Sequence, residues 1–354
     1  MKRNRLPFCL FACLLITAFC AAALCTSVFP QGDGGEAATV TEVPGETLQS
    51  GEAAVTAQWT RAPADPKPPS HPVKLVFVHH SCGENWLLDD NGGLGLALRD
   101  NNYFVSDTNY GWGPEADGGW GPVGDSTDTG HWYLWFQGPN SAAITEALYA
   151  ESGQNSAYSR LGTDPGGKNR IIMFKSCFPN SALRGSAGDP VPAIVSNPLK
   201  AEGSDSEYQT VANAKGIYID LLEYFKAHQD TLFVAVTAPP ISDGTYAANA
   251  RSFNNWLVND WLTGYPYNNV MVFDFYNVLT SNGGSAEVND YGKSTGNHHR
   301  WQDGQVQHIV GTNKNTAAYA QAWDDDHPTA AGNQKASAEF IPLLNYAYNR
   351  WSGA

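Results

Sequence analysis

Two stretches of this 354-residue chain hold side chains whose types and spacing could do chemistry. The first is His79-His80-Ser81-Cys82-Gly83, which follows the apolar, β-branched run from Val73 to Val78 and precedes an apolar helical pattern. A serine at the carboxyl end of a parallel strand, heading a helix, stands where open α/β sheets place their ligands. Free N–H groups at such a helix start can hold an oxyanion beside a nucleophile. The same serine equally suits a plain βα turn, as its cap. The second stretch is Asp324-Asp325-Asp326-His327-Pro328, ahead of a final amphipathic helix with Thr329 as its cap. Asp324 and His327 are three apart. On a turn, that spacing lets the carboxylate reach the imidazole Nδ1–H, which fixes the tautomer and frees Nε2 as a base. Taken alone, the acidic run reads more readily as a solvated turn with a capping histidine.

The elements that must bring these stretches together alternate along the chain. Apolar and β-branched runs predict strands at 73–78, 103–106, 170–176, 231–237 and 270–275. Helical periodicity predicts helices at 87–99, 141–151, 208–228, 247–262 and 330–350. Five strands alternating with helices imply an α/β fold, a three-layer α/β/α sandwich around a five-stranded parallel sheet. Two connections, 107–138 and 277–323, are longer than such a fold needs, and long ordered loops commonly build sites.

The first long loop is aromatic, with Trp112, Trp120, Trp132, Trp135, Tyr110, Tyr133 and Phe136. Such rings either stack on sugar faces or pack the loop onto the sheet. The second holds His298, His299 and His308, which together with His79, His80 and His131 could form a metal cluster. No tight ligand spacing such as H-E-x-x-H accompanies them, so substrate contact or loop packing is the favoured reading and no metal is assigned. Trp112, His80 and His299 are the candidate substrate contacts. Asp117, Asp125 and Asp128 lack the EF-hand calcium pattern.

Residues 1–25 read as a secretory signal or membrane anchor: Lys2, Arg3 and Arg5 precede an apolar run with Ala21-Ala22-Ala23 as a cleavage site. Residues 26–71 are rich in Gly, Ala, Glu, Thr and Pro without apolar periodicity and read as a disordered spacer. Residues 72–354 then form the folded domain, secreted or anchored at the cell surface. With 35 acidic against 21 basic residues and a formal net charge of −14, the chain is a poor partner for nucleic acid. Four of six cysteines, Cys9, Cys13, Cys20 and Cys25, fall in the leader, leaving Cys82 and Cys177 for the domain.

The strand-end Ser81 and the Asp324-x-x-His327-Pro328 segment together resemble the SGNH (GDSL-like) hydrolase superfamily, in a divergent branch. The likeness runs from Val73 to the C-terminus. The family's Gly-Asp-Ser-Leu stands here as His79-His80-Ser81-Cys82, and the α/β-hydrolase elbow G-x-S-x-G is not met. The resemblance implies a flavodoxin-like sheet and a serine esterase that needs no cofactor. Ser81 would be the nucleophile, His327 the base and Asp324 its orienting acid. Oxyanion donors would be the Ser81 N–H, a glycine after the second strand (Gly111 or Gly113) and the Asn180 amide. The implied substrate is an acyl ester, above all acetyl, and the aromatic loop adds acylated polysaccharide as its carrier. A tethered glycan-binding protein without turnover is the alternative, though binding alone needs no such trio. In this fold Cys82 and Cys177 fall at the carboxyl ends of strands one and three. They would form a disulfide if their Cα atoms come within about 7 Å, or else remain separate buried thiols.

Overall fold

Strands buried on both faces read as continuous apolar runs, because neither face alternates with solvent. That is the pattern of β1 (Val73–Val78), whose six residues are all buried. The computed structural model describes residues 65–354 apart from 120, 284–288, 323 and 354. The leader at 1–25, nearly all of the 26–71 spacer, Trp120 and Trp323 lie outside the described residues.

In chain order, β1 is followed by α1 (Ser81–Leu87), α2 (Leu94–Asp100) and β2 (Tyr103–Thr108). Next come α3 (Trp132–Phe136), α4 (Ser141–Ala150), β3 (Ile171–Lys175) and α5 (Val211–Ala227). The chain continues through β4 (Leu232–Val236), α6 (Ala247–Asn259), β5 (Val270–Phe273) and α7 (Phe275–Val278). It closes with β6 (His298–Gln302), β7 (Gln305–Ile309), β8 (Ala320–Ala322), β9 (Asp325–Pro328) and α8 (Ala330–Ser352).

The five expected strands form one parallel sheet in the order β2-β1-β3-β4-β5. This is the flavodoxin-like order, and its reversal of direction falls between β1 and β3. Side chains alternate across each strand, so the sheet feeds two cores. Leu75, Phe77, Met173, Val234 and Phe273 pack with Trp86, Leu98, Phe340 and Leu344 on one face. Val76, Val78, Phe174, Phe233 and Val272 pack with Leu148, Ile217, Phe225 and Leu257 on the other. Among the described residues, no helix is long and apolar enough to cross a membrane.

Three expectations change. The helix expected at 87–99 is two helices, broken after Leu87. A Cβ on Gly92 would meet the Trp86 carbonyl at 2.3 Å, and Gly93 turns with φ +63°. The second long connection is not irregular. It contains the antiparallel hairpin β6-β7, turned by Asp303-Gly304 with both φ positive, and the ribbon β8-β9. Asp-Gly between paired strands is a strong hairpin signal, here hidden by polar, histidine-rich flanks. The first long connection is core rather than display surface. Trp132 and Trp135 are fully buried, and Trp112 stacks on Trp135 with centroids 5.7 Å apart.

Candidate active site

The crevice between the carboxyl ends of β1 and β3 receives Ser81 from one side and Cys177 from the other. The Ser81 Oγ lies 2.8 Å from His327 Nε2, and His327 Nδ1 lies 2.6 Å from Asp325 Oδ1. The Asp325 carboxylate also accepts the His327 backbone N–H at 3.0 Å. These bonds to His327 hold the Asp325 carboxyl below the usual carboxylate range. Phe178 meets the His327 ring edge-on, with centroids 5.1 Å apart.

The acid partner is therefore Asp325, not Asp324. The segment is a strand rather than a turn, and alternate residues of a strand share a face. Asp325 and His327 are two apart and face the same way. Asp326 points oppositely and accepts the Ser242 N–H at 2.7 Å, which ties β9 to the loop after β4. Asp324 is exposed at the ribbon turn.

A second aspartate–histidine pair fixes the turn that carries Ser81. His79 is fully buried, with Nε2 3.1 Å from Asp107 Oδ2 at the end of β2 and Nδ1 2.9 Å from the His80 carbonyl. Asp107 also accepts from the Ser156 and Tyr158 hydroxyls and the Asn155 N–H. Burial pushes its carboxyl up, but the bonds from His79, Ser156 and Asn155 outweigh this and hold it down. Gly83 is required beside this ring: a Cβ there would lie 2.3 Å from the His79 Cβ. Nothing in the spacing of His79 and Asp107 announces the pair, because parallel pairing of β1 and β2 creates it.

Cys82 and Cys177 are both free thiols, so the expected disulfide is not formed. They are nevertheless in contact. Cys82, with Lys175 helping, holds the Cys177 thiol well below its usual pKa against burial. Burial pushes Cys82 up. Cys177 Sγ lies 3.9 Å from Ser81 Oγ. The turn of Ser81 and the β3 loop thus meet through this long Ser81–Cys177 hydrogen bond rather than a covalent link.

The expected oxyanion donors are largely occupied. Gly111 sits third in a turn closed by Trp112 N–H to the Asn109 carbonyl, where its φ of +75° favours glycine. Its N–H donates to Asp125 Oδ1 at 2.7 Å. Gly113, φ +87°, packs on Val123 within the same loop. The Asn180 amide is buried and spends both N–H bonds inside the protein, on Asp128 Oδ1 at 2.6 Å and the Cys177 carbonyl at 3.2 Å. It pins the β3 loop rather than facing Ser81.

Of the three expected substrate contacts, only His80 borders Ser81. It is half-buried, bonds the Gly124 carbonyl through Nε2 at 2.6 Å and stacks on Tyr110 at 3.9 Å. Burial lowers its pKa. Trp112 donates its indole N–H to Glu151 and packs inward. His299 is fully buried between Phe273 and His308, and its Nδ1 accepts the Asp274 N–H. Burial and His308 hold its pKa down to about 3. His298 pairs with Glu339 and His308 with Asp274, so the histidine-rich hairpin is bonded into the fold. Among the described residues, no group of three or more His, Cys, Asp or Glu could hold a metal.

No family model matches the chain, and no curated protein does. Two solved structures align distantly. One is a carbohydrate esterase described as having an active site with divergent catalytic and non-catalytic binding functions. It is 11% identical, with a TM-score of 0.34, over 80% of this chain and 68% of that one. The other is 12% identical with a TM-score of 0.32, over 77% of this chain and 96% of that one. Neither likeness bears on activity, which rests on the geometry around Ser81.

Proposed function

We propose that this chain is an exported serine hydrolase that cleaves carboxylic esters, of the SGNH type. One observation carries the reading: the unbroken hydrogen-bond line from Asp325 through His327 to Ser81, at 2.6 and 2.8 Å. Ser81 Oγ attacks the ester carbonyl while His327 Nε2 takes its proton and Asp325 steadies the resulting imidazolium. The carbonyl π pair moves to oxygen, and the Ser81 backbone N–H is the nearest donor to receive that charge. Collapse expels the alcohol, protonated by His327. Water, deprotonated by His327, then releases the acid from Ser81. Each proton is moved by His327 and the oxyanion is met by a backbone N–H, so turnover persists in EDTA.

Acetyl and other short acyl esters are the substrate class proposed. A carbohydrate carrier draws less support than the aromatic loop suggested, since Trp112, Trp132 and Trp135 face inward. The test is hydrolysis of p-nitrophenyl acetate and acetylated xylan by the purified protein. Ser81→Ala and His327→Ala each lower kcat by a factor on the order of 10⁴ or more, and the double variant is no worse than either. Undiminished turnover in Ser81→Ala sinks the assignment. A wild-type protein that binds acetylated glycan and never hydrolyses it is a binding protein instead.

A further inference from the structure

One ring of the first long loop does not turn inward. Tyr110 is 61% exposed, while Trp112, Trp132 and Trp135 of the same loop are buried. Its ring stacks on His80, with centroids 3.9 Å apart and planes 23° from parallel. One face is therefore covered, and what solvent reaches is the opposite face and the hydroxyl edge. His80 is joined to Ser81 by one peptide, so their Cα atoms are ~3.8 Å apart. Tyr110 follows β2 and Cys177 follows β3, so the ring borders the crevice on the β2 side of Ser81.

The ring is held still from three directions. The Tyr110 N–H donates to Asn109 Oδ1 at 3.0 Å, and Asn109 Nδ2 donates to Glu84 Oε2 at 3.0 Å, one turn along α1 from Ser81. Beneath the ring, His80 Nε2–H donates to the Gly124 carbonyl at 2.6 Å. Gly124 is itself fixed: its N–H donates to the Trp112 carbonyl at 2.8 Å, and a Cβ would meet the Asn109 carbonyl at 2.5 Å. On the far side, the Gly111 N–H donates to Asp125 Oδ1 at 2.7 Å. An aromatic face clamped in this way loses little freedom when something settles on it.

The surroundings say what that is. An acyl half of one or two carbons is too short to extend from Ser81 past His80, so the alcohol half of the ester is the part that reaches the ring. Beside the ring stands the exposed Asp125 carboxylate, which repels an anionic alcohol and accepts hydroxyls. Gly111, Asp125 and His80 give no apolar wall for a lipid chain. We propose that Tyr110 is the stacking platform for the leaving alcohol, and that this alcohol is a neutral sugar ring. Its C–H face lies on the open face of the phenol, and its hydroxyls reach Asp125. This rests on the esterase reading and narrows its substrate class. The stack is made alike before and during the reaction, so it acts on KM rather than on kcat.

The test uses the full chain and two acetyl esters. Acetylated xylo-oligosaccharides carry a sugar as the alcohol half, and ethyl acetate carries one with no ring. The quantity read is the ratio of kcat/KM on the first to kcat/KM on the second. Tyr110→Leu keeps bulk without a flat face, and the ratio falls about fivefold through KM for the oligosaccharide. Tyr110→Phe keeps the ring and holds the wild-type ratio. A wild-type ratio in Tyr110→Leu overturns the proposal. So does a Tyr110→Phe ratio as low as that of Tyr110→Leu, because the hydroxyl and not the ring face is then the contact. A wild type that hydrolyses ethyl acetate and leaves the acetylated oligosaccharides intact overturns the sugar assignment while the esterase reading stands. A wild type that hydrolyses neither overturns the esterase reading, and this proposal with it.

Discussion

Ser81 stands between two aspartate–histidine pairs of the same chemistry and opposite circumstances. His79–Asp107 is sealed, with both side chains at 0% exposure, and each ring nitrogen faces a protein acceptor. His327–Asp325 is open, at 26% and 42% side-chain exposure, and its second nitrogen faces Ser81. A buried pair whose bonds are all spent can only hold geometry. A half-exposed pair with one nitrogen on a nucleophile can pass a proton to and from an arriving substrate. Burial and bond saturation, not residue type, separate a positioning pair from a working one.

The sharpest break in this comparison is to remove each carboxylate in turn. Asp325→Asn leaves His327 without the acceptor that fixes its tautomer. Esterase kcat falls on the order of 10²- to 10³-fold, because wrong-tautomer variants of such triads lose most of their rate. Asp324→Asn, changing an exposed side chain at the ribbon turn, stays within about twofold. If Asp324→Asn is the damaging variant, the segment works as a turn and the ribbon register is wrong.

Asp107→Asn strikes the sealed pair, so its main effect is on stability. Removing one partner of a buried pair costs about 3 kcal/mol, and slackening of the Ser81 turn lowers kcat about tenfold. The sign of the pH dependence follows from the direction of the shift. Asp107 is held below the usual carboxylate range in the folded state, so its ionised form favours folding. That contribution is whole above the unfolded-state value of about 3.9 and is lost as pH falls through the lower native value. The gap in melting temperature between wild type and Asp107→Asn is therefore full at pH 7 and narrows below about pH 4. A gap that does not change with pH would mean that the pair is not ionic.

The smallest effect concerns the thiol contact beneath Ser81. The lowered Cys177 is the more thiolate-like of the two, and its half-exposed position lets reagent in. Iodoacetamide labels Cys177 before Cys82 in the folded protein, with turnover falling as labelling proceeds, since Cys177 Sγ is 3.9 Å from Ser81 Oγ. Peptide mass spectrometry of the unreduced protein reads the order. A Cys82–Cys177 cross-linked peptide would restore the disulfide.

Sequence alone determined the sheet. Five runs of β-branched and apolar residues can only be strands buried on both faces, and the helices between them force parallel pairing. It also singled out Ser81 and His327, which the structure brings within hydrogen-bond reach, because a serine at a strand's carboxyl end and a histidine heading the last helix are local signals. What it left open depends on contacts between distant segments. Which aspartate serves His327 turned on whether 325–328 is a turn or a strand, and β8 decides that by pairing with it. That His79 braces the turn of Ser81 depends on Asp107 arriving from the neighbouring strand. Trp112, Trp132 and Trp135 of the first long loop could have faced solvent, but the second core needed filling and took them. Local pattern records which face of an element is apolar; which polar side chains meet across the crevice is settled by the packing of the elements that carry them.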